Sequence, residues 1–167
     1  MLSKILKKED CAKCRFCCSF RRTSLWETPI FTEENINAIK SSSNDASVLN
    51  EFFSDNITYA TYDLSDKYLT SDSEEEVPCP YLDQSSGCIL SDEEKPWDCK
   101  IWPLRVTQKK EGRIVVALTP TCPSINKLGI EKVCDFVDDN LKKELVNYAT
   151  AHPYLIKDFR DGWHIEL

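Results

Sequence analysis

Histidine, glycine and long apolar runs are scarce in this sequence, and each scarcity removes a class of function. Only two histidines, His152 and His164, occur in 167 residues, which leaves little for imidazole-based metal chemistry or a Ser–His–Asp relay. The four glycines stand apart at 87, 112, 129 and 162, so there is no glycine-rich loop to cradle phosphates. The longest aliphatic run, Ile114 to Leu118, is five residues, whereas a membrane-spanning helix needs roughly 20. The opening MLSKILKKED lacks the apolar core of a secretory signal. Basic residues are in deficit, 21 Lys and Arg against 28 Asp and Glu for a net charge of −7, which disfavours nucleic-acid binding through phosphate neutralisation. The expectation is a cytoplasmic globular chain with neither a nucleic acid nor a membrane as partner.

Cysteine is what the sequence has in excess. Nine occur, at 11, 14, 17, 18, 79, 88, 99, 122 and 134. An odd number leaves a thiol over from any complete disulfide framework, and a reducing compartment keeps such thiols reduced. Four of the nine fall within eight residues, as Cys11-x-x-Cys14-x-x-Cys17-Cys18. Clustering of this kind points to metal ligation. A Cys-x-x-Cys loop converges two sulfurs on one centre, and spacings of three and three wrap further, as in bacterial iron–sulfur runs. Cys17 and Cys18 are adjacent, so their side chains are expected to diverge and serve different sites or opposite sides of one cluster. The segment also holds Lys13, Arg15, Arg21 and Arg22 without an acid between Cys11 and Arg22; nearby cations lower the cost of thiolate charge.

The remaining ligand candidates are Cys79, Cys88, Cys99 and Cys122. Cys79 and Cys122 each precede a proline, which fixes the chain's exit from the site. Cys134 lies on the apolar stripe Ile130, Val133, Cys134, Val137, Leu141, Leu145, Tyr148, Ala149. That spacing predicts a helix of about five turns, and Cys134 is read as a small core residue outside the metal set. Thiolate-only ligation favours iron–sulfur or zinc. The i, i+3, i+6 spacing and the Cys-Pro pairs favour iron–sulfur, with a 4Fe-4S cluster preferred and all-cysteine zinc as the alternative. One division of the ligands puts Cys11, Cys14 and Cys17 with Cys122, and Cys18 with Cys79, Cys88 and Cys99.

Elsewhere the pattern predicts an extended Ser24–Ile30 and a helix over 33–40 capped by Thr32 with Ile36 and Ile39 inward. It also predicts a short helix over 47–55, a strand over 57–62 and an exposed acidic loop over 65–76. Residues 78–90 read as two extended pieces about the turn 83–87. A hairpin joins Leu104–Thr107 to Arg113–Thr119. Trp163-His164-Ile165 reads as an edge strand or docked tail. Phe16, Tyr81, Trp97 and Trp102 are aromatics placed to shield a centre, and Asp98 is a helix cap or a neighbour of the ligands.

The motifs Cys11-x-x-Cys14-x-x-Cys17-Cys18, Cys79-Pro80-Tyr81-Leu82, Gly87-Cys88-x-Leu90, Lys95-Pro96-x-x-Cys99 and Trp102-Pro103 together resemble the CxxCxxCC family of zinc- or iron-chelating proteins, the YkgJ-type cysteine-cluster family. That family is distantly related to the larger flagellin lysine N-methylases. The resemblance covers roughly residues 11–123, with Lys95 standing where the family usually has arginine. It implies metal chelation by the matched cysteines.

The expectation is therefore an α+β fold: one small irregular metal-stabilised domain over 1–167, with short β-hairpins and a long C-terminal helix. Its metal ligands are Cys11, Cys14, Cys17, Cys18, Cys79, Cys88, Cys99 and Cys122, holding one or two iron–sulfur centres. The function is redox or accessory to a modification enzyme, which would be its protein partner. A structural zinc module for protein interaction and a methyltransferase-related enzyme are the alternatives. No catalytic residue is named, and whether the chain is itself an oxidoreductase stays open.

Overall fold

The structure is a computed structural model that describes residues 13–167. Helices and sheets are both present, so the chain is α+β. Its contacts group into two compact units, one ending at Cys99 and one running from Lys100 to Leu167.

The first unit is built on a three-stranded antiparallel sheet, in which β2 (Phe31–Thr32) and β3 (Leu49–Ser54) flank β4 (Ile57–Tyr62). Between β2 and β3 runs α1 (Glu33–Ser41). Thr32 and Asn35 form a reciprocal cap at its start, and Ile36 and Ile39 are buried beneath it, as their spacing requires. Residues 47–55 are not a helix. Asp55 and Asn56 take left-handed φ values of 51° and 61°, a conformation suited to a tight hairpin turn. The turn folds Leu49–Ser54 back onto β4 in register from Leu49↔Tyr62 to Ser54↔Ile57. Ser24–Ile30 likewise departs from the extended expectation: Arg22–Glu27 is a 3₁₀ turn, held by the Ser24 hydroxyl donating to the Arg21 carbonyl and accepting from the Arg21 N–H.

Two shorter ladders complete this unit. β1 (Ser19–Arg21) pairs antiparallel with β5 (Glu76–Pro78), and β6 (Leu82–Asp83) pairs with β7 (Gly87–Cys88). The core between them is aromatic. Tyr62 stands 5.3 Å from Phe31, 6.0 Å from Tyr81 and 6.2 Å from Phe20, centroid to centroid, at tilted or edge-on angles, the geometry ring quadrupoles favour. Ile36, Ile39, Leu64, Val77 and Leu90 fill the rest.

The chain crosses into the second unit within α2 (Trp97–Ile101). There β8 (Leu104–Gln108) and β9 (Ile114–Leu118) form the expected hairpin, with Gly112 at φ 87° closing the turn. β10 (Lys157–Asp158) adds in parallel to β8, and β11 (Ile165–Glu166) adds antiparallel to β9 as an edge strand. The helices are α3 (Pro123–Leu128), α4 (Ile130–Phe136) and α5 (Asp139–Ala151). The single long C-terminal helix is thus broken in two. Asp138 leaves helical geometry and its carboxylate accepts from the Leu141 N–H at 2.8 Å, capping a new helix of 13 residues. Val133, Leu145 and Ala149 remain on the buried face, but Cys134 is exposed, not a core residue. Among the described residues no helix is long and apolar enough to cross a membrane.

Candidate metal centre

Local hydrogen bonding determines where each sulfur of the first unit lies. Arg15 adopts φ 55°, a left-handed turn that reverses the chain after Cys14 and starts the 3₁₀ turn Phe16–Cys18, closed by Cys18 N–H donating to the Arg15 carbonyl at 2.9 Å. The chain then enters β1. The register of β1 on β5 pairs Ser19 with Pro78, and one step further along it Cys79 N–H donates to the Cys18 carbonyl at 2.7 Å. Cys18 and Cys79, 61 residues apart in sequence, are therefore cross-strand neighbours.

Cys88 returns to the same place through the β6–β7 hairpin. The Asp83 carboxylate accepts from the hydroxyls of Ser85 and Ser86 at 2.6 and 2.8 Å and from their N–H groups at 2.9 and 2.7 Å, which folds the turn and holds that carboxyl well below the usual range. Gly87 completes it at φ 83°. Ile89 N–H then donates to the Tyr81 carbonyl at 3.1 Å, and Leu82 N–H to that of Cys79 at 3.0 Å. Arg15 ties the two motifs together, its guanidinium bonding the side chain and carbonyl of Gln84 in the hairpin turn.

Cys99 arrives on α2. Asp98, 2% exposed, accepts from the Ile30 N–H at 3.1 Å. Asn35 donates to the carbonyls of Glu93 and Lys95, so the turn ahead of α2 is fastened to α1 and to the approach to β2. Asp98 thus acts as an anchor for the segment that carries Cys99.

The electrostatics follow from this convergence. A hydrogen bond that the Cys18 thiol donates to Cys17, then burial, then the charges of Cys17, Cys99 and Cys79 push the Cys18 thiol far above its ordinary range. Burial leads for Cys99, with Cys17, Cys79 and Asp98 adding to the rise and Lys95 opposing it. Burial also raises Cys79, as do Cys88 and Cys17, while hydrogen bonds from the Tyr62 hydroxyl and the Tyr81 backbone pull it back in part. Tyr62, whose hydroxyl lies 3.3 Å from the Cys79 sulfur, is itself raised by burial and by Cys79 and Cys99.

Four of the eight candidate ligands, Cys17, Cys18, Cys79 and Cys99, are thus close enough to feel one another's charge, and Cys88 is close enough to be felt by Cys79. Cys17 belongs with Cys18, Cys79 and Cys99 here, which differs from the division read from the sequence. Cys17 and Cys18 do not diverge either; their side chains are hydrogen-bonded. Cys14 is half-buried just ahead of the group. Cys11 falls outside the described residues. Cys122 is in the second unit, buried at the N-terminus of α3. None of the described cysteines is in a disulfide. Among the described residues, no three Cys, His, Asp or Glu side chains form a group that could hold one metal ion.

Two of the cations beside the first motif are directed elsewhere. Arg21 pairs with Glu74 and Glu76, and Arg22 pairs with Glu75 and lies over the Tyr68 ring. The acidic run read as simply solvated is therefore the partner of the basic run, on the flank of β1 and β5. Of the proposed shielding aromatics, Tyr81 and Trp97 are buried, whereas Phe16 is 41% exposed. Sequence reasoning missed Tyr62 as a neighbour of the sulfurs, since it lies 17 residues before Cys79 and outside every motif. A cleft of about 940 Å³ opens beside Cys79 and its flanking prolines, lined also by Val48, Leu64 and Leu82.

Comparison with family models, curated proteins and solved structures finds no match for this chain.

Proposed function

We propose that this chain is a metal-binding protein whose first unit holds an iron–sulfur cluster through Cys17, Cys18, Cys79, Cys88 and Cys99, with Cys11 and Cys14 as further ligands and Cys122 of the second unit as a ligand of a second centre. The observation that carries this reading is the approach of Cys17, Cys18, Cys79 and Cys99 from separate chain segments, with Cys88 beside Cys79 and none of them in a disulfide. The raised thiol ranges of Cys18, Cys79 and Cys99 argue against a reactive nucleophile at those positions, which needs a depressed one. They also make an assembly of bare thiolates costly. A thiophilic cation that displaces the protons removes that cost, because ligand thiols deprotonate as the metal binds.

The i, i+3, i+6 spacing of Cys11, Cys14 and Cys17 and the two Cys-Pro pairs favour an iron–sulfur core over a single zinc ion. Such a core, when bound, supplies one-electron chemistry. The protein's part is to bury the sulfurs, set their spacing through the β1–β5 register and the β6–β7 hairpin, and leave Cys17 and the Cys79 cleft open to a partner. A protein that exchanges electrons with it, or a modification enzyme it serves, is the partner this reading implies, in a reducing compartment such as the cytoplasm.

Single Cys→Ser variants of the full chain test the assignment. Iron and sulfide content, measured after anaerobic purification, is expected to fall in the variants at 17, 18, 79, 88 and 99 and to be retained at 134. Equal retention in all of them contradicts the ligand set.

A further inference from the structure

We propose that Tyr62 is a positioning residue for the metal centre: its hydroxyl donates a hydrogen bond to the Cys79 sulfur and draws charge from it. This rests on the reading of Cys79 as a metal ligand. The contact is 3.3 Å long, and by geometry alone either atom is a competent donor. A ligand sulfur carries no proton, so in the loaded protein the donor is Tyr62.

Three features make the contact a fixed one. Tyr62 ends β4, whose register against β3 pairs it with Leu49. Its ring is enclosed by Phe20, Phe31 and Tyr81, and the residue is 6% exposed. The hydroxyl therefore reaches the sulfur from a packed side chain with little rotational freedom. On the other side of Cys79, its backbone N–H is spent on the Cys18 carbonyl at 2.7 Å. The sulfur is thus approached by a side chain from the central sheet while its main chain is held by β1. Tyr62 lies outside every cysteine motif and 17 residues before Cys79, so no local sequence signal marks it.

A hydrogen bond donated to a ligand sulfur stabilises the more negative, reduced state of the centre, and such outer partners tune both affinity and potential. Removing it should lower the reduction potential. The test uses the full chain purified anaerobically, with iron content, visible spectrum and reduction potential measured together. Tyr62→Phe keeps the ring in its aromatic surroundings and is expected to lower the potential and to weaken metal retention against a chelator by roughly 10- to 100-fold. Tyr68→Phe is the control, because the Tyr68 hydroxyl donates to the Phe20 carbonyl at 2.9 Å; it is expected to leave both unchanged. Incorporating 3-fluorotyrosine at position 62 preserves the ring and strengthens the donor, and should raise the potential, which keeps the test decisive if Tyr62→Phe does not fold. A wild-type cluster whose potential is the same in all three variants overturns this inference alone. Wild-type protein with no iron–sulfur absorption refutes the cluster reading, and this inference with it.

Discussion

Glu94 shows how a single charged side chain holds the approach to the site. It is 4% exposed, and burial by itself would favour its neutral form. Hydrogen bonds from Ser42, Ser91 and Asn44 outweigh burial and hold its carboxyl down at about 2. The Ser91 N–H donates to it at 2.7 Å and the Asn44 amide at 2.8 Å, so it fastens the turn before α2 to the loop after α1. Its folded range is below the unfolded one, near 4.3. The stability it supplies is therefore complete above that value and is lost as the pH falls from about 4.3 toward 2. Glu94→Gln is expected to cost about 1.5–3 kcal/mol at pH 7, the scale of one net hydrogen bond to a charged group. Urea unfolding at pH 7 and pH 3 should show the gap between variant and wild type narrowing at the lower pH. An equal gap at both would mean the carboxylate's charge is irrelevant.

Among the elements, the β1–β5 ladder matters most to the site, since its register sets Cys18 against Cys79. Phe20, 4% exposed at the centre of β1, holds the ladder on the aromatic core. Phe20→Ala should cost about 3–5 kcal/mol, and bound iron should fall with it. The flanking pairs of Arg21 with Glu74 and Glu76 are exposed and worth about 0–1 kcal/mol, so they specify register more than they stabilise. In the second unit, Asp138→Ala removes the α5 cap and should cost about 0.5–2 kcal/mol without changing iron per folded molecule. Denaturant melts paired with iron assay check both variants. The elements legible in the sequence are those closed by local chemistry: the Thr32-capped helix, the 104–118 hairpin, the turn at 83–87 and the Ile57–Tyr62 strand. The misread ones turn on competition between local signals. Asp55-Asn56 folds residues 49–54 into a hairpin, and Asp138 caps a second helix inside a continuous apolar stripe. The β1–β5 pairing had no local signature, because its strands are three residues each and separated by more than 50 positions.

At the scale of the whole molecule, spacing marks the cysteines as candidate ligands one by one but carries no signal of which of them approach one another. Chain reversal at Arg15 and the cross-strand step to Cys79 bring Cys17 within electrostatic reach of Cys18, Cys79 and Cys99. Tyr62 entered through tertiary packing alone. The chain's two compact units divide the work unevenly: the first brings Cys17, Cys18, Cys79 and Cys99 together with Cys88 beside Cys79, and the second contributes a four-stranded sheet, three helices and the buried Cys122. Its net charge of −7 and scarcity of histidine leave sulfur as the chemically distinctive resource of the molecule. Quantifying iron, acid-labile sulfide and zinc in wild-type protein purified without oxygen, alongside its visible spectrum before and after dithionite, is the most direct test. A brown protein with near-equal iron and sulfide and absorption bleached by the reductant is the predicted result. A colourless protein carrying zinc, or no metal at all, would contradict it.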